Sequence, residues 1–204
     1  MHNDHNILWI PWDGPGLEHL RLVQSDDLIL ADSLIIGVAE EDRRPFRARY
    51  TIQCDARWHV RELRIDMLDA ANRRLDLMSD GAGHWFDDAG EPLPGLVGCF
   101  DVDISATPFT NTLPIRRLAL PPAAAADINV VYISLPELAV TPGMQRYTCL
   151  ASNTAGARYR FESRTHAFTA ELPVDTHGLV EDYPGLFRRV ARPPGSQTAA
   201  SVTP

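Results

Sequence analysis

Phe46-Arg47-Ala48-Arg49-Tyr50-Thr51-Ile52-Gln53-Cys54-Asp55 alternates without a break. Phe46, Ala48, Tyr50, Ile52 and Cys54 share one phase, and Arg47, Arg49, Thr51, Gln53 and Asp55 share the other. Successive side chains of a strand point to opposite faces, so this stretch is a strand whose two faces are treated differently. Alternation does not say which face meets solvent. The arginine-bearing face is either an ordinary exterior or the wall of a wet interior.

The pattern continues downstream with a slip. Trp58 and Val60 keep one phase, whereas Leu63, Ile65 and Met67 keep the opposite one, as a bulge at Arg61–Glu62 produces. Leu75 and Leu77 follow, then Phe100, Val102 and Ile104, then the more apolar run 128–135. Segments 145–150, 158–162 and 168–174 complete the set. Turn residues stand between them at Asp80-Gly81, Ala89-Gly90, Pro142-Gly143 and Ala155-Gly156. Short strands separated in this way predict a closed or rolled antiparallel sheet. A single helix is expected. It starts at Thr107-Pro108 or Thr112-Leu113-Pro114, where threonine caps and proline is tolerated, and runs through Ile115, Arg116, Arg117 and Leu118 to end before Pro121-Pro122. We expect one mostly β domain over residues 1–190. The Pro-, Ser- and Thr-rich tail 191–204 is expected to be disordered.

Composition narrows the partners. Hydrophobic residues form 45% of the chain, enough for a real core, and 16 prolines against 13 glycines disfavour long helices. A net charge of -8 argues against nucleic acid and anionic membrane surfaces as partners. All 19 basic residues are arginine, so every buried cation is a planar fork suited to carboxylate, phosphate or sugar hydroxyls. Cys54, Cys99 and Cys149 are odd in number and widely spaced, which disfavours disulfides and a zinc site. Neither a signal peptide nor an apolar run of about 20 residues is found, so a cytoplasmic protein is expected.

Reaction motifs are missing. The chain has no G-x-S-x-G, Walker A, G-x-G-x-x-G or H-E-x-x-H pattern, and Gly14-Pro15-Gly16 reads as a turn. His2 and His5 are read as part of a fraying terminus. Asp101-Val102-Asp103 is the sharpest local candidate, because alternation sets two carboxylates on one face. It suits a divalent cation or an acid/base pair, yet the chain lacks the βαβ pattern in which glycosyltransferases carry such a motif. Ion pairing with Arg116 or Arg117 is the stronger reading, since enclosed carboxylates need cations. Trp9, Trp12, Trp58, Trp85, Tyr132, Tyr147, Tyr159 and Tyr183 lie near arginines or carboxylates in the chain. They serve either as core rings with polar tips or as faces for sugar rings and acyl chains.

Several stretches together resemble a bacterial family known as "putative glycolipid-binding". They are Trp12-Asp-Gly-Pro-Gly-Leu-Glu-His-Leu20, Tyr50-Thr-Ile-Gln-Cys-Asp-Ala-Arg-Trp58, Gly98-Cys-Phe-Asp-Val-Asp-Ile104 and Thr107-Pro-Phe-Thr-Asn-Thr-Leu-Pro-Ile-Arg-Arg-Leu118. Gln145-Arg-Tyr147 and residues 174–189 close the set, so the resemblance spans roughly residues 7–190. It implies a spiral β-roll, a highly curved antiparallel sheet around one short helix, and homodimers. It carries over no catalytic residue, no metal and no cofactor. The leading expectation is non-enzymatic binding of an amphipathic ligand, a glycolipid or fatty-acyl conjugate. Arg49, Trp58, Arg61, Asp101, Asp103, Arg116, Arg117, Tyr132 and Tyr147 are the expected head-group or pocket contacts. Two rivals stay open: a hydrolase or transferase using Asp101 and Asp103 on a sugar or phosphate ester, and a structural or protein-interaction module.

Overall fold

A computed structural model describes residues 3–39 and 41–190. The tail 191–204, expected to be disordered, lies outside the described residues, as does His2. The strands are β1 (Asn3–Pro11), β2 (Leu17–Gln24), β3 (Leu28–Val38), β4 (Pro45–Asp55), β5 (Val60–Met67), β6 (Arg74–Ser79), β7 (Trp85–Phe86) and β8 (Cys99–Ile104). The helix α1 (Thr112–Leu118) follows, and then β9 (Ala125–Ser134), β10 (Ala139–Asn153), β11 (Gly156–Ser163), β12 (Phe168–Val174), β13 (Asp182–Tyr183) and β14 (Phe187–Arg189). The fold is mostly β around one short helix, as the alternation and the prolines predict.

Two sheets form, and neither closes into a barrel. Nine strands run in the order β13-β14-β1-β2-β3-β4-β5-β6-β7, and five run β12-β11-β10-β9-β8. All pairs are antiparallel except β8 with β9. The slip in β5 is the expected bulge: Gln53 pairs with Glu62 while the next residue, Cys54, pairs with Val60, so Arg61 is the extra residue.

Alternation on β4 is now resolved. Ala48, Tyr50, Ile52 and Cys54 are buried, whereas Arg47 and Arg49 are exposed. The arginine face is the exterior. Arg49 meets Asp32 of β3 there through two hydrogen bonds of 2.9 and 2.8 Å.

Apolar side chains gather in two clusters. The larger lies between the nine-stranded sheet and Val102, Ile104, Val131 and Ile133 of the smaller sheet. The second packs Tyr147, Tyr159, Phe161, Leu172 and Tyr183 together. Helix α1 sits at their junction: Leu113 belongs to the first cluster and Ile115 to the second. A left-handed residue, Ala119 at φ 44°, ends the helix and returns its N–H to the Ile115 carbonyl.

Two local expectations need correction. Pro142-Gly143 is not a turn but lies inside β10, opposite Val131 and Val130 of β9. Pairing of β10 with β11 begins only at Gln145, so Pro142 occupies a stretch paired on one side, where a missing N–H costs no ladder bond. The amino terminus is not frayed at His5 either. Strand β1 starts at Asn3 and pairs with β2, and the His5 ring lies 4.1 Å from that of His177.

Candidate functional site

Inward positions of β2 are Glu18, Leu20 and Leu22, and outward ones are Leu17, His19 and Arg21. A carboxylate thus takes a place where the strand otherwise buries leucine. Glu18 is 2% exposed. Its Oε1 accepts hydrogen bonds from three hydroxyls: Ser33 on β3 at 2.8 Å, Tyr50 on β4 at 2.7 Å and Thr107 at 2.8 Å. Its Oε2, equally enclosed, has no hydrogen-bond partner among the described residues. Burial raises the carboxyl from 4.5 to about 7, against the lowering effect of the bonds from Thr107, Tyr50 and Ser33. Burial also pushes the Tyr50 phenol up, with the charge of Glu18 adding to it.

Glu18 lines a groove of about 440 Å³. Leu17, Ile35, Ile36, Phe46 and Leu135 supply apolar walls, and Trp9 and Tyr132 supply aromatic ones. Ser105 and Ser134 add hydroxyls, and Asp13, Glu41, Arg43 and Glu137 add charge. Local backbone shapes the wall. The Phe46 ring lies so close to β3 that a Cβ at Gly37 would stand 2.9 Å from its Cζ, so a side chain there would displace the ring. The volume fits a small-molecule site, and the lining is divided about equally between apolar and polar surface.

A second polar cluster holds the helix. Arg117 donates two hydrogen bonds to Asp101, at 3.0 and 2.5 Å, and its guanidinium lies over the Phe100 ring. Asp101 is fully buried; that burial raises its carboxyl while Arg117 pulls it down. Asp103 accepts from Gln145 at 2.6 Å and from Thr110 at 3.2 Å, and burial raises it too. Tyr147 donates to Asn111 at 2.9 Å. Arg116 reaches over Trp58 and lies against Gly178, where a Cβ would come within 2.8 Å of its Cδ.

Of the nine residues chosen from the sequence, Tyr132 alone lines the groove. Trp58, Asp101 and Tyr147 are buried. Arg61 binds Asp55 at 2.8 Å and the Asp80 carbonyl on the exterior side of the bulge, and Arg49 is on the outer face. The expected pairing of the D-x-D motif with arginine is made by Asp101 and Arg117; Asp103 is held by an amide and a hydroxyl instead. Neither carboxylate lines the groove, and Asp101 is fully buried against Arg117. No group of three or more His, Cys, Asp or Glu side chains suited to a metal ion occurs among the described residues.

Sequence reasoning missed Glu18, although a signal was present. Glu18, Tyr50 and Thr107 belong to three separate stretches that carry the family resemblance, and the fold brings them together within hydrogen-bond reach. Asp103, Asn111, Gln145 and Tyr147 come from such stretches as well. The stretches that carry the resemblance are those that build the polar clusters around Glu18 and Asp103.

The family described as "Putative glycolipid-binding" matches residues 6–189. A crystal structure of a DUF1089 family protein from Pseudomonas aeruginosa superposes with a TM-score of 0.78 at 41% identity, covering 88% of this chain and 95% of that one. No curated protein matches. Among the described residues no helix is long and apolar enough to cross a membrane.

Proposed function

The chain belongs to the "Putative glycolipid-binding" family, and on that premise we propose that it binds an amphipathic ligand of the glycolipid class in the groove beside Glu18. One observation carries this reading: the same groove joins apolar walls at Leu17, Ile35, Ile36 and Leu135 to charged and hydroxyl groups at Asp13, Arg43, Glu137 and Ser134. Such a lining takes an alkyl chain and its polar head together. Tyr132 enters the proposal as a direct contact. Trp58, Asp101, Asp103, Arg116, Arg117 and Tyr147 enter it as residues that hold helix α1 and the sheets around the groove, and Arg49 and Arg61 as outer-face ion pairs. Binding without chemistry, in the cytoplasm and as a homodimer, is part of the same proposal. For the dimer, Leu8 on β1 and Leu34 on β3 stand exposed outside the groove.

Native mass spectrometry of the protein after exposure to a bacterial lipid extract tests it. The expected result is a glycolipid adduct on the unchanged chain and its loss on Ile36→Trp, which fills the groove from an exposed position. Lipid retained equally by the Ile36→Trp variant would overturn the proposal.

A further inference from the structure

We propose that Glu18 is the polar anchor of the groove and takes a hydroxyl group of the bound ligand on its free carboxylate oxygen. This rests on the groove as the binding site and adds the chemical group recognised there. Three facts carry it. Glu18 is among the lining residues and is 2% exposed. The protein spends Ser33, Tyr50 and Thr107 on one oxygen, which fixes the carboxyl plane. The other oxygen is left without a donor, and an enclosed acceptor without a partner costs stability, more so when charged. A ligand that supplies the missing partner recovers that cost.

Chemistry selects the partner. A hydroxyl donates to an ionised carboxylate and accepts from a protonated one, so it matches both forms of a group that titrates at about 7. An ammonium matches only the ionised form, and it would carry its charge into a wall of Leu17 and Ile35. A ligand carboxylate matches only the protonated form. The other ionisable groups of the groove are Asp13, Glu41, Arg43, Glu137 and Tyr132, and Tyr50 faces Glu18 directly.

The probe is octyl β-glucoside below its micelle concentration, with octyltrimethylammonium as the charged control, followed by calorimetry and by the carbon NMR signal of the Glu18 carboxyl. The unchanged protein is expected to bind the glucoside, not the ammonium, with a shift of the Glu18 signal. Glu18→Gln keeps an acceptor for the three hydroxyls and offers a neutral amide in place of Oε2. Its affinity should fall about tenfold at about pH 8.5, where the native carboxylate is ionised, and match the native chain at about pH 5.5. Equal affinity of Glu18→Gln at both pH values, with binding still lost in Ile36→Trp, would refute the anchor and keep the groove. Unchanged binding by Ile36→Trp would refute the groove itself. Preference for the ammonium would refute the hydroxyl, and no binding of the glucoside by the native protein would refute both readings.

Discussion

Two buried carboxylates of this protein have opposite surroundings. Asp101 meets the guanidinium of Arg117 through two hydrogen bonds, away from the groove, at the foot of the helix. Glu18 meets only hydroxyls, on one of its two oxygens, beside the groove. Burial raises both carboxyls, but only Asp101 has a cation to oppose it. An acid closed off by its counter-ion fixes structure. One left half-satisfied at a groove is the group that the proposal assigns to the ligand.

Removing a partner on each side sharpens that contrast. Arg117→Ala strands a buried charge, and urea unfolding should show a loss of about 3–5 kcal/mol. A loss no larger than that of a surface arginine would place Asp101 in the same category as Glu18. The effect of Glu18 is read against pH. Its folded value of about 7 exceeds the ordinary 4.5, so the folded chain binds the proton more tightly and loses stability as pH rises between those limits. That contribution is on the order of 3 kcal/mol. The stability difference between the native chain and Glu18→Gln should change by that amount across the window, and a flat difference would contradict the burial argument. Tyr50→Phe removes one donor and should cost about 1–2 kcal/mol at neutral pH while pushing Glu18 further up, visible in its carboxyl titration. Arg49→Ala breaks an exposed pair with Asp32 and should change unfolding by at most about 1 kcal/mol.

Legibility in the sequence followed the sharpness of the two strand faces. From β4 onward the outward positions are largely polar, and β4, β5, β6, β8, β9, β11, β12, the second half of β10, the bulge and the helix could be read from the pattern, whereas the short β7, β13 and β14 could not. Strands β1 to β3 escaped because apolar residues occupy both phases: Leu34 and Ile36 on β3 are 42% and 47% exposed, while Ile35 between them is buried. A period of two disappears when both faces carry leucine and isoleucine. The helix was found by Pro114 in its first turn and by the prolines beyond it. The expected threonine cap does not form: Asn111 stands at the cap with no side-chain capping bond, and the Thr112 hydroxyl donates to the Gly178 carbonyl. Glu18 was hidden for the same reason as its strand, since in Leu17-Glu18-His19-Leu20 nothing marks glutamate as the inward residue. Tyr132 was reached through the aromatic list, whereas the arginines chosen with it turned out to serve ion pairs and ring contacts.

The pairing of β14 with β1 ties residues 187–189 to residues 9–11, and the Trp9 indole donates to the Val180 carbonyl across 171 positions of chain. Gly185, Leu186 and Phe187 also form one side of the groove. The groove therefore cannot exist on a growing chain. Contacts this distant in sequence form late, after the loop-closure entropy of the intervening strands has been met. A chain ending before residue 185 lacks that wall of the groove.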